Sequence, residues 1–128
     1  MYTHLPHIAF RVLAVAAIVG VLSLRAGAHH GWSGYETKEF EVSGRVSAPL
    51  TLAGPHATMK ITVEGQVWNL TLAPPAATVK SGLREANIPV GATVMVHGHR
   101  SVNPKIFEVK TERIVYNGKT FNVYPDRT

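Results

Sequence analysis

The chain reads as a mainly β protein: a small OB-like Greek-key barrel of about five to six strands, with one short helix between strands 3 and 4. Three observations lead there. Apolar and polar residues alternate with period two in several short runs, the pattern of strands buried on one face. Two glycine-containing dipeptides, Glu64-Gly65 and Asn117-Gly118, fall between such runs and signal tight hairpins. The only helix-like stretch falls after the third run, and strand, strand, strand, helix, strand, strand is the order of an OB-fold.

The elements follow in chain order. Phe40, Val42, Gly44 and Val46 alternate with Glu39, Glu41, Ser43 and Arg45, giving a first strand with one apolar face. Ala57 to Val63 is rich in β-branched residues and ends at the Glu64-Gly65 turn. Gln66 to Leu72 alternates again and pairs back as a hairpin. Pro74-Pro75 breaks that strand, since proline offers no amide hydrogen to a ladder. Ala76 to Asn87 then predicts one short helix, weakened at Gly82 by about 1 kcal/mol relative to alanine and stopped by Pro89 and Gly91. Ala92 to His99 and Ile106 to Tyr116 are the next strands, and Lys119 to Tyr124 returns after Asn117-Gly118.

Residues 1–28 differ from the rest. They hold no acidic residue, and an apolar run from Val12 to Leu24 sits between Arg11 and Arg25. That run is shorter than the roughly 20 residues a membrane-spanning helix needs. With Ala26-Gly27-Ala28 behind it, the segment predicts a secretory signal peptide cleaved after Ala28. The remainder is expected in the periplasm or outside the cell, with no membrane attachment after cleavage. Residues 29–38 form a His-, Gly- and aromatic-rich lead-in segment, and 39–128 the barrel domain.

Cleavage lowers the formal net charge from +5 to +3, because Arg11 and Arg25 leave with the leader. The remaining basic residues, among them Lys38, Arg45, Lys60, Lys80, Arg84 and Lys105, are scattered. Nucleic-acid binding wants a concentrated patch and is not expected. The chain has no cysteine, which excludes disulfides, thiol redox chemistry and thiolate ligation. Asp126 is the only aspartate, Glu36, Glu39 and Glu41 read as a solubilising cluster, and no nucleophile–base arrangement or phosphate loop is visible.

Five histidines remain after the leader: His29, His30, His56, His97 and His99. If cleavage follows Ala28, His29 becomes the amino terminus. Its α-amine, with an ordinary pKa near 7.7–8.0, and its ring can then chelate one ion. A further imidazole completes a three-nitrogen arrangement suited to tetragonal Cu(II). A cut one or two residues earlier leaves Ala-His-His or Gly-Ala-His, which also wrap Cu(II) or Ni(II). Trp32 and Tyr35 are expected to bury and tie this end down. His97 and His99 stand two apart in Val94-Met-Val-His-Gly-His99 and share a strand face with Met95. Those three form a second-choice soft copper site, against the plainer reading of a polar outer sheet face. His56 leaves the Gly54-Pro55 turn and reads alone as a solvated loop residue.

With these residues in view, the chain resembles the small exported bacterial proteins grouped as domain of unknown function 6152. The resemblance rests on Ala28-His29-His30, Gly31-Trp32, Tyr35 and the strand from Glu39 to Val46. It continues through Pro55-His56, the segment Trp68 to Pro75, Gly91 to Val94 and Val115 to Phe121. Members commonly show Asn-Pro-His where this chain has Gly54-Pro55-His56. The resemblance implies that His29, His30 and His56 act jointly, ahead of His97, His99 and Met95. The function expected first is metal binding, copper preferred with zinc or nickel as alternatives, buffering or carrying the ion rather than catalysing. The second reading is a non-metal OB-like module binding a protein or small ligand in the periplasm. A histidine-brace copper oxidase is the third.

Overall fold

The computed structural model describes residues 31–127. The chain divides into two compact units, Met1–Ser33 and Gly34–Thr128. In the first, only Gly31, Trp32 and Ser33 are described; they form a turn in which Trp32 is half-buried.

The second unit is the barrel. Its elements are β1 (Phe40–Thr51), β2 (Thr58–Val63), β3 (Gln66–Thr71), α1 (Pro75–Lys80), β4 (Thr93–Arg100), β5 (Glu108–Tyr116) and β6 (Lys119–Asn122), closed by a 3₁₀ turn at Pro125–Arg127. The strands run in the order β3-β2-β1-β4-β5-β6, and a parallel β3–β5 pairing closes five of them into a barrel. β6 hangs on β5 outside that closure.

β1 makes this closure possible. Its first half, Phe40 to Arg45, pairs with β4, and its second half, Arg45 to Thr51, pairs with β2. A strand serving two neighbours in this way must bend, and register shifts at Ala48 supply the bend. Gly44 sits at the crossing. A Cβ there would lie 2.9 Å from Val63 Cγ2 and 3.0 Å from the Thr62 carbonyl oxygen, so the absence of a side chain is what lets β2 pass.

Both hairpins turn through left-handed residues, Glu64 (φ 48°) with Gly65 (φ 80°) and Asn117 (φ 50°) with Gly118 (φ 76°). Two consecutive residues at positive φ are the type I′ geometry that suits the strand twist. The inward residues of all strands, including Val46, Ile61, Leu70, Val96, Val109 and Ile114, form one core.

The helix is shorter than the sequence predicts. It ends at Lys80, and Gly82 adopts φ 96°, a conformation outside the helical region that glycine takes at little cost. The chain from Ser81 to Pro89 is a loop that nevertheless delivers Leu83 and Ile88 into the core. Hydrophobic spacing continued past the helix end because those two residues serve the core without it. A second cluster lies at the β4–β5 loop. Trp68 stacks on Phe40 (centroids 5.3 Å) and meets Phe107 edge-on (5.1 Å), with the Arg100 guanidinium 4.8 Å from the Trp68 ring centre.

Candidate functional site

His56 stands in the β1–β2 loop, held by the strand that follows it. Ala57 exchanges backbone bonds with Leu72 and Ala73 (Ala57 N–H to Ala73 O, 2.9 Å; Leu72 N–H to Ala57 O, 2.8 Å). The same pairing places the half-buried His56 ring against β3, with Nδ1 2.8 Å from the Leu72 carbonyl oxygen. A carbonyl only accepts, so Nδ1 carries the hydrogen and donates it. The other nitrogen, Nε2, has no partner among the described residues, and in the neutral ring its lone pair is open to a ligand. Histidine ligands in metal sites are oriented in this manner, one ring N–H on a carbonyl and the other nitrogen presented outward.

His29 and His30, like the expected leader 1–28, lie outside the described residues. The chain that follows them is anchored from Gly34 onward. Tyr35 pairs with Ser101 as an isolated bridge, Glu36 N–H donates to Arg100 O (2.8 Å) and Val102 N–H donates to Gly34 O (3.0 Å). The Tyr35 hydroxyl donates to Glu108 Oε1, which also accepts from Thr71 Oγ1 (3.3 Å). Burial above all, then the hydrogen bond and the negative charge of Glu108, push the Tyr35 phenol well above its ordinary value. Thr71, which shares this anchor, is the neighbour in sequence of Leu72, which orients His56.

His97, His99 and Met95 occupy alternate positions of β4, as the sequence predicts, but their surroundings diverge. Between His97 and Gly98 the register against β5 slips, leaving Glu112 as the extra residue of a bulge. His99 is only 7% exposed, because the lead-in segment covers it. Its Nδ1 lies 2.8 Å from the Glu36 carbonyl oxygen and its Nε2 2.9 Å from Glu112 Oε1. His97 Nδ1 lies 3.1 Å from Arg113 Nη2 and 3.3 Å from both Glu39 Oε1 and Glu41 Oε2. Both nitrogens of His99 are thus held by protein oxygens, and the two rings serve different networks. Glu39 and Glu41 are more than a solubilising pair, since Glu39 also binds Arg113 at 2.6 Å. Among the described residues, no group of three or more His, Asp or Glu side chains is arranged to hold a metal ion.

Sequence reasoning missed the buried charges on β5. Glu112 is 2% exposed and accepts from Arg127 Nε at 3.0 Å as well as facing His99. Lys110 is buried, and burial lowers its pKa, an effect that the nearby Glu108 partly offsets. Tyr124, 5.8 Å away by its ring centre, is raised by burial, with Arg127 pulling the other way. The alternation Glu108, Lys110, Glu112 is the ordinary mark of a solvated face. Only the covering segments at both ends of the barrel turn it into a buried one.

Among the described residues no helix is long and apolar enough to cross a membrane. Among solved structures, the chain is similar to the ZRD-deleted mutant of TiaS in complex with agmatine, with a TM-score of 0.50 and 14% identity. The match covers 67% of this chain and 26% of that one, and it shows a shared barrel fold. No curated protein matches. The family of unknown function DUF6152 matches residues 16–108, and the chain belongs to that family.

Proposed function

We propose that this is an exported metal-binding protein, copper preferred, that buffers or carries the ion, with His29, His30 and His56 as donors after removal of the leader. The observation that carries the reading is the His56 ring, set by the Leu72 carbonyl with Nε2 left for a ligand. The anchoring of the chain at Tyr35 supports it, since the Tyr35 hydroxyl donates to Glu108, which also accepts from Thr71 next to Leu72. An α-amine and imidazoles form a hard-to-borderline nitrogen set, which favours Cu(II) over Ni(II) and Zn(II) in the Irving–Williams order. With no sulfur donor in this set, Cu(II) rather than Cu(I) is the species expected.

The test uses the processed protein, its terminus read by mass spectrometry, titrated with Cu(II), Ni(II) and Zn(II). The reading requires one tight Cu(II) site that weakens at least tenfold on His29→Ala or on acetylation of the α-amine. Equal affinity in the blocked protein removes the reading. A second reading, an OB-like module docking a protein in the periplasm, is favoured by exposed Val102 and Ile106 on the β4–β5 loop and by exposed Val67 of β3. It is the one left standing if none of the three ions binds.

A further inference from the structure

Four basic residues that look scattered in the sequence come together around one end of the molecule. Lys80 ends α1, Arg84 follows it, Lys119 opens β6 and Arg127 closes the 3₁₀ turn. Between these elements lies a cavity of about 560 Å³, within the range of roughly 300–1,000 Å³ common to small-molecule sites. Lys80, Thr120, Asn122, Tyr124 and Arg127 contribute to its wall, and among its described lining residues Asp126 is the single carboxylate.

Three of the donors on the wall have no partner among the described residues: the Lys80 ammonium makes no ion pair or hydrogen bond with any of them, and neither does the Thr120 hydroxyl or the Asn122 side-chain amide. Thr120 and Asn122 sit at alternate positions of β6, on the side opposite buried Phe121, so both are turned to the same face. Arg127 gives its Nε to Glu112 (3.0 Å), which fixes the guanidinium at the wall. Two further cations stand on the bordering elements. Arg84 Nη1 donates to the Val79 carbonyl (2.9 Å) on the last turn of α1. Lys119 Nζ lies over the Phe121 ring (5.0 Å from its centre) and 4.0 Å from the position a Cβ on Gly82 would take. Against these four positive charges stand, among the described residues, Asp126 on the wall and the already paired Glu112. A cleft with one predominant sign of charge raises the local concentration of the opposite ion, and fixed N–H and O–H donors give it directed, charge-assisted bonds.

We propose that this cavity binds a small molecule bearing an oxyanion, a carboxylate or a phosphate group, held by Lys80 and Arg127 with Thr120 and Asn122 as hydrogen-bond donors. The site shares no residue with the histidine reading and stands without it.

The experiment follows backbone amide resonances of the metal-free processed protein during titration with inorganic phosphate and, separately, citrate at low ionic strength. The expected result is saturable shifts confined to residues 80–82 and 120–127, with the stronger arm identifying the oxyanion. Lys80→Gln is expected to weaken binding at least tenfold at an unchanged melting temperature, since this exposed ammonium makes no ion pair or hydrogen bond with any described residue. Asn122→Asp, which places a carboxylate on the wall, is expected to weaken it likewise. Shifts that fail to saturate, that spread over the whole surface, or that persist unchanged in both variants overturn the proposal. So does saturable binding of a long polyanion such as heparin with neither small anion bound, because that outcome describes a charged surface rather than a cavity.

Discussion

Gly98 lies where β4 crosses the bulge of β5, and its lack of a side chain is a condition of barrel closure. A Cβ there would lie 2.1 Å from the Lys110 carbonyl oxygen and 2.9 Å from Thr111 Cα. Both are backbone atoms and cannot rotate away. Gly98→Ala is therefore expected to force the β4–β5 seam open, at a cost of about 4 kcal/mol or more, measured as a fall in the urea midpoint or as loss of folded protein. Gly31→Ala, which meets nothing within 4 Å, is the matched control and is expected to stay within about 0.5 kcal/mol. His99 makes a different kind of contribution. It bonds Glu36 of the lead-in segment and the buried Glu112. Replacing it by phenylalanine keeps the bulk and removes both bonds, leaving Glu112 with Arg127 at 3.0 Å and the more distant Arg113 at 3.9 Å. Hydrogen bonds to a buried charged group stabilise by about 1.5–3 kcal/mol, and a loss of that size is expected in chemical denaturation. The histidines show where single residues were and were not legible. The placement of Met95, His97 and His99 on one face of a strand follows from period two, and the three do occupy alternate positions of β4. That His99 is buried was not legible, because its cover comes from Glu36 at 63 positions' remove.

At the scale of elements, the strands, both I′ turns and the helix position were readable because each is written locally, in alternation or in a dipeptide. The helix length was not. Leu83 and Ile88 carry helical spacing into a stretch that is loop, and tertiary burial alone accounts for them. The cluster at the β4–β5 loop was also unwritten locally: Phe40, Trp68, Arg100 and Phe107 come from four elements. In it, Arg100 covers Trp68, which is only 7% exposed. Arg100→Ala removes a cation–π contact of about 0.5–2 kcal/mol together with the alkyl packing of the side chain. The expected readout, in a Trp32→Phe background so that Trp68 reports alone, is a red-shifted emission and a melting point lowered by several degrees. Unshifted emission would mean that the guanidinium does not shield the indole.

For the molecule as a whole, Tyr35 and Glu36 ahead of β1 and Arg127 of the closing 3₁₀ turn bond to groups on β4 and β5, and this sets how stability responds to alkali. Tyr35 and Tyr124 both have folded-state pKa values raised above the ordinary 10.0. The unfolded chain releases these protons first, so stability is fully present below about pH 10 and falls as pH climbs beyond it. Lys110 acts in the opposite sense. Its folded pKa is lowered below 10.5, so the cost of burying its charge fades as pH rises towards that value and changes no further above it. The net expectation is a urea midpoint that holds or rises slightly towards pH 10 and then drops. Tyr35→Phe should flatten the drop while lowering the midpoint at pH 8, because the Glu108 bond is lost. An equally steep alkaline drop in the variant would show that Tyr35 is not the group responsible.

The central claim about function is that His56 and a freed amino-terminal histidine share one Cu(II). Electron paramagnetic resonance of the processed protein with one equivalent of Cu(II), run beside His56→Gln, tests it most directly. A tetragonal spectrum with nitrogen hyperfine structure is expected in the native chain, and a changed nitrogen pattern with weaker binding in the variant. Identical spectra and affinities in the two proteins, or a native chain that leaves the copper in solution, would contradict it.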